Sequence, residues 1–216
     1  MITRKIKILA LVLLVGWPPL SGLTKVVICC AGDSLMRPVP GHLRVLLKTS
    51  NIQAVIKDWS QGGLSSRTYQ GFFQRHWAAW RQTKPDFILI QLGTNDADPI
   101  VRGKYDPAKF RQNLLTIIEN FEQFRTSENK RPRIFIASAP YFTGTERKQE
   151  KNKVIKEQIN PAIQEISKKE GLIFVDNFSV LENKPELYDP DGVHPSPEGE
   201  IALAKNWLHW IERAVH

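Results

Sequence analysis

The feature that most limits how this chain can fold is an alternation of two periodicities along its length. Five short apolar runs, rich in Val, Ile, Leu and Phe, lie at Lys25–Ala31, Ile52–Trp59, Asp86–Leu92, Arg133–Ser138 and Leu172–Asp176. Each is too short for a typical helix and shows little polar alternation, which is the pattern of strands covered on both faces. Helical stretches separate them: Gly41–Ser50, Gly71–Thr83, Ala108–Arg125 behind Pro107, Thr145–Glu170 and Pro197–Ala214. Proline suits the first position of a helix, so Pro107 marks a start. Pro161 inside the fourth helical stretch predicts a kink, and Gly171 ends that stretch. Strands that alternate with helices predict one α/β domain built on a five-stranded parallel sheet.

Composition agrees with one globular domain. The chain has 216 residues, 42% hydrophobic and 24% charged, which excludes a disordered chain and a multi-span membrane protein. Its two cysteines, Cys29 and Cys30, are adjacent within an apolar run. That excludes a disulfide scaffold and a four-cysteine zinc site, and predicts two small buried core residues.

The N-terminus has its own grammar. Arg4, Lys5 and Lys7 precede the apolar run Ile8–Val15, and Gly16, Pro18, Pro19, Ser21 and Gly22 follow. A basic start, a short apolar core and small or proline residues predict a signal peptide or hydrophobic leader over residues 1–22. The mature domain is then 23–216, and the protein is expected to be exported, periplasmic or secreted. Retention of the leader as a membrane anchor is the alternative. The formal charge of +8 falls to +5 without the leader (27 basic against 22 acidic residues). No zinc finger, basic zipper or aromatic-basic signature accompanies it, so nucleic acid is not an expected partner.

In an open parallel sheet, ligands sit beyond the carboxyl ends of the strands. Four segments there could carry chemistry: Gly32-Asp33-Ser34-Leu35, Gly62-Gly63-Leu64-Ser65, Gly93-Thr94-Asn95-Asp96 and Asp191-Gly192-Val193-His194-Pro195. Together they offer a nucleophile, backbone donors, a side-chain amide, and an acid three residues from a histidine. A serine hydroxyl needs an adjacent base before it attacks. Histidine titrates near neutrality, which suits His194 to that task. Asp191 is close enough in the chain to hold the other ring nitrogen. Asp33 and Asp96 are expected to brace loops. The set explains itself without a metal or cofactor, and none is expected.

These blocks resemble the SGNH hydrolases, also called GDSL esterases and lipases. The resemblance runs over essentially everything after the leader. It implies a flavodoxin-like three-layer α/β/α sandwich with Ser34 as nucleophile and Asp191 and His194 completing a triad. It also implies an oxyanion hole made by the backbone of Ser34, the backbone of Gly63 and the amide of Asn95. The Gly62-Gly63 pair offers two registers for the second block, of which Gly63 is taken because Gly63-Leu-Ser-Ser-Arg-Thr follows the family trend. The Gly-x-Ser-x-Gly elbow of another hydrolase fold is absent.

A domain of this size leaves little room for a lid, which points to small acyl groups on a larger, exposed carrier. The expected function is a short-chain acyl esterase, acting on acetyl groups of a carbohydrate. Lysophospholipase or thioesterase activity, sugar O-acyl transfer and a non-catalytic sugar-binding module are the alternatives. Arg37, Arg67, Arg102, Lys104 and Arg147 follow strand ends and could attract an anionic carrier. The pairs Trp77/Trp80 and Trp207/Trp210 have core spacing. Trp59 is the candidate for stacking on a sugar.

Overall fold

The computed structural model describes residues 25–215; the leader expected at 1–22 lies outside the described residues. Five strands form one parallel sheet: β1 (Val26–Gly32), β2 (Ala54–Ser60), β3 (Phe87–Gln91), β4 (Arg133–Ala137) and β5 (Ile173–Val175). Their spatial order is β2-β1-β3-β4-β5. The order in which the chain adds strands switches sides between β1 and β3, and the segments after Gly32 and Gln91 leave the sheet side by side at their carboxyl ends, where open parallel sheets bind ligands.

Both faces of the sheet are covered, as the apolar runs require. Cys29, Ala31, Ile88, Ile90, Ile134 and Ile136 point into one core. Ile28, Cys30, Phe87, Leu89, Phe135 and Ala137 point into the other. This is the period of two expected of a strand, with each face apolar. The first core is closed by α2 (Ser66–Trp80), α4 (Pro107–Phe121) and α6 (Asn160–Lys169), through Phe72, Phe73, Leu114, Ile117 and Ile163. The second is closed by α1 (Val39–Thr49) and α8 (Pro197–Val215), through Leu43, Leu47, Trp207 and Ile211. Among the described residues the other α-helices are α3 (Ala97–Val101), α5 (Glu146–Val154) and α7 (Asn177–Leu181). The result is the expected three-layer α/β/α sandwich. Cys29 and Cys30 are buried free thiols on opposite faces, and burial pushes both well above the usual thiol range.

Several expectations need correction. Helix α2 begins at Ser66 rather than Gly71, because Ser65 and Thr68 cap it reciprocally. Thr at the third position replaces the Glu or Gln of the usual signature, which hid the start. Between β3 and α4, a 3₁₀ turn at Thr94–Asp96 leads into α3, which no apolar run in the sequence marks. The long helix 145–170 is three pieces. A π-helical turn, Ile155–Ile159, joins α5 to α6 ahead of Pro161. Proline lacks an N–H and its ring crowds the turn before it, so the irregularity falls upstream of the ring.

Trp59 is not available to a sugar. It is 3% exposed and stacks on Trp80 at 4.5 Å between ring centroids, with Phe121 and Phe124 beside it. Trp59 faces the first core, whereas Ile56, three residues earlier on β2, faces the second. Trp80 and Trp207 are buried, as their spacing predicted.

Candidate active site

The last residue of β1, Gly32, is a glycine for a steric reason. A Cβ there would stand 2.4 Å from the Gln91 carbonyl oxygen and 2.8 Å from Met36 Cβ. The chain then turns sharply: the Leu35 N–H donates to Asp33 Oδ1 (3.0 Å) and the Met36 N–H to the Asp33 carbonyl (3.3 Å). That side-chain-closed turn leaves Ser34 half-buried at the rim, beyond the carboxyl end of the sheet's central pair. Asp33 itself is fully buried. Desolvation pushes its carboxyl up to about 7, against the lowering effect of the Leu35 N–H.

Three residues predicted to act together meet in a line of hydrogen bonds. His194 Nε2 lies 3.0 Å from Ser34 Oγ, and His194 Nδ1 lies 2.6 Å from Asp191 Oδ2. A ring nitrogen at that distance can take the hydroxyl's proton. The other carboxylate oxygen, Asp191 Oδ1, accepts the backbone N–H groups of Val193 (2.8 Å) and His194 (2.9 Å). Partial burial would raise the Asp191 carboxyl, but the His194 ring and these N–H groups outweigh it and hold it at about 2. Both side chains are about half exposed, 45% for His194 and 51% for Asp191. The line is open to solvent along its length.

The loop carrying His194 is held from several sides. Tyr188 and Pro195 form an antiparallel bridge, and the Asp189 N–H donates to the His194 carbonyl (2.9 Å). Gly192 has φ +61, and a Cβ there would sit 2.2 Å from the Thr143 carbonyl oxygen. That contact is a backbone pairing, since the Thr143 N–H donates to the Gly192 carbonyl (2.9 Å). Asn152 fixes the segment on the other side, bonding both the N–H and the carbonyl of Phe142 at 2.7 Å. Tyr188 donates its hydroxyl to the Tyr141 carbonyl, and Lys148 donates to the Asp191 carbonyl. This support from residues 141–152 was not read from the sequence. Only Gly192 hinted at it, because a glycine beside a histidine can mark a close approach.

Asn95 reaches the residue before the serine, and the Gly62-Gly63 turn runs beside the serine itself. Asn95 Nδ2 donates to the Leu64 carbonyl (3.0 Å) and makes a long contact with Asp33 Oδ2 (3.4 Å). Gly63 is exposed with φ +77, a conformation that favours glycine. A Cβ on Gly62 would lie 3.8 Å from Ser34 Cβ, so the turn runs alongside the serine. Asp96 is buried and accepts from both the N–H (2.9 Å) and the hydroxyl (2.7 Å) of Ser66. It therefore ties the start of α2 to the end of β3, as a bracing residue would. Arg102 and Arg147 turn onto Asp98, at 2.7 and 2.8 Å. Among the described residues, no group of three His, Cys, Asp or Glu side chains is arranged to hold a metal ion. Nor is any helix there long and apolar enough to cross a membrane.

Known proteins bear on this arrangement. The family model for GDSL-like lipases and acylhydrolases matches residues 30–200. The chain is 27% identical over 208 residues to an acetylxylan esterase of Xylanibacter ruminicola, covering 82% of this chain and 41% of that protein. It is 28% identical over 135 residues to a multidomain esterase of Ruminococcus flavefaciens, covering 61% of this chain and 16% of that one. The chain thus spans less than half the length of either curated relative. Among solved structures, a lipase/acylhydrolase from Enterococcus faecalis superposes with a TM-score of 0.72 at 20% identity, covering 88% of this chain and 96% of that one. The acetylxylan esterase Axe2 of Geobacillus stearothermophilus does so with a TM-score of 0.68 at 16% identity, covering 86% and 94%. These likenesses at low identity establish the shared fold. The family match spans most of the chain and includes the serine, amide and histidine segments: the chain belongs to the GDSL-like lipase/acylhydrolase family of ester-bond hydrolases.

Proposed function

We propose that this protein is a serine esterase that hydrolyses short acyl esters, acetyl above all, on a carbohydrate. The observation that carries the reading is the continuous line Ser34–His194–Asp191, at 3.0 and 2.6 Å. In this reading His194 Nε2 removes the Ser34 proton as Oγ attacks the ester carbonyl. Asp191 keeps the proton of the neutral ring on Nδ1 and stabilises the imidazolium that forms. The oxyanion is received by the backbone N–H groups of Ser34 and Gly63 and by Asn95 Nδ2. One Asn95 proton is committed to Leu64, and the other is on the long 3.4 Å contact with Asp33, so the second is the one to offer. The protonated His194 then returns its proton to the leaving sugar oxygen. A water activated by the same ring frees the acid from Ser34.

Two observations favour a short acyl group on an exposed carrier. His194 and Asp191 are half exposed, which suits an ester on a large, solvated polymer. The relatives named as acetylxylan esterases add support for acetylated xylan as the carrier. Export is part of the proposal, and N-terminal sequencing of protein recovered outside the cytoplasm tests it.

The test is a p-nitrophenyl ester series, acetyl through palmitoyl, together with acetate release from acetylated xylan, using residues 23–216 and the Ser34→Ala variant. Activity falling with chain length and lost in Ser34→Ala is expected. Activity rising with chain length would move the assignment to a lipid or thioester hydrolase. An added sugar acceptor that suppresses free acid release would make it a transferase. Glycan binding without turnover of any ester would make it a binding module.

A further inference from the structure

Beside the serine and amide segments lies a cavity of about 280 Å³, lined by Ser65, Arg67, Asp96, Pro99, Lys104 and Tyr105. It adjoins the candidate active site through the chain itself. Ser65 follows Leu64, whose carbonyl holds Asn95, and Asp96 follows Asn95. The charges around it do not balance. Arg67 and Lys104 are exposed and form no ion pair among the described residues. By contrast, Arg102, Arg147 and Lys151 nearby share the carboxylate of Asp98. The cavity's one carboxylate, Asp96, is buried and both its oxygens are engaged by Ser66. Desolvation also pushes that carboxyl upward, which weakens it as a counter-charge. The 15-residue helix α2 opens here, with Ser65 as its cap and no acidic residue in its first turn. Its positive end adds to the two cations.

We propose that this cavity is a subsite for the carboxylate of an acidic sugar, a uronic acid unit lying next to the acylated sugar on the same glycan. The inference rests on the glycan-esterase reading above and narrows its substrate class. Arg67 would clasp the carboxylate through its planar fork and Lys104 would add a second charge. The cavity volume is near the lower end for ligand pockets, enough for one sugar-sized unit. Acylated glycans bearing uronic acids are then the preferred substrates over neutral ones of equal length.

Two measurements test this. The first compares kcat/KM on acetylated xylo-oligosaccharides with and without uronic acid branches, normalised to p-nitrophenyl acetate turnover by the same preparation. A preference of about tenfold for the acidic substrate at low salt is expected, shrinking as ionic strength rises. Arg67→Ala should reduce the preference to about twofold, Lys104→Ala should weaken it, and Lys169→Ala should leave it intact. The second measurement is calorimetric binding of oligogalacturonate and neutral xylo-oligosaccharide to Ser34→Ala, which needs no turnover. Tighter binding of the acidic oligomer, lost on adding Arg67→Ala, supports the subsite even if no glycan ester is cleaved. Absence of glycan turnover alone would count against the esterase reading. Equal binding of the two oligomers, or a preference unmoved by Arg67→Ala, would overturn the subsite itself.

Discussion

Replacing Asp191 with Asn tests the geometry most sharply, because the two side chains have nearly the same shape. Asp191 uses both oxygens, one on the His194 ring and one on two backbone N–H groups. Asparagine has one acceptor. If its oxygen faces Val193 and His194 N–H, its NH₂ faces Nδ1 and forces the proton onto Nε2, where it blocks the base. If it is flipped, two backbone donors lose their partner and the loop loosens. The electrostatic loss can be bounded. A carboxylate about 4 Å from the imidazolium charge is worth about 1 kcal/mol in water and about 4 kcal/mol at an effective dielectric of 20. The half exposure of both groups places the pair between these limits. At about 1.4 kcal/mol per decade, kcat should fall by about 5- to 700-fold with KM nearly unchanged. Steady-state kinetics on p-nitrophenyl acetate, with circular dichroism to confirm folding, read this out. A variant that keeps more than half of the parent kcat would refute the role given to Asp191.

Other outcomes follow from the same geometry. Asn95→Ala should lower kcat by about 10²- to 10³-fold with little change in KM; a loss confined to KM would remove it from the oxyanion site. Gly192→Ala places a Cβ 2.2 Å from the Thr143 carbonyl at φ +61. It should lower both the melting temperature and the activity, and a variant matching the parent in thermal unfolding would contradict the close approach. Trp59→Ala should cost about 3–5 kcal/mol in denaturant unfolding, and a selective rise in glycan KM at parental stability would restore Trp59 as a sugar contact. Asp33 gives a pH signature. Its folded-state pKa of about 7 lies above its ordinary 3.8, so the folded protein holds a proton that the unfolded chain has released between those values. Stability from this group is therefore greatest below about pH 4 and declines as pH rises through 7. Asp33→Asn should flatten that decline, and a pH dependence as steep as the parent's would assign it to other groups.

The parts legible in the sequence are those that local chemistry dictates. Apolar runs such as Asp86–Leu92 announced buried strands, and the four strand-end segments named the residues that the fold brings together. What stayed hidden depends on long-range contact or on variant signals. Thr68 closes a capping box that Glu or Gln usually marks, so the sequence pattern alone places the start of α2 too late. Trp59 had the chemistry of a sugar platform, but strand register turned it inward onto Trp80. The pairing of Thr143 with Gly192 on the histidine loop joins residues about 50 positions apart, which no local pattern encodes. The charge imbalance of Arg67 and Lys104 could be seen only once Arg102 and Arg147 were found paired with Asp98.

In the proposed mechanism Ser34 is a nucleophile activated by His194. Labelling with a fluorophosphonate probe, followed by mass spectrometry of the modified peptide, measures this directly. One adduct is expected, on Ser34, formed rapidly by the parent and slowed by orders of magnitude in His194→Ala. An adduct on another serine, or equal labelling rates in the two proteins, would contradict it.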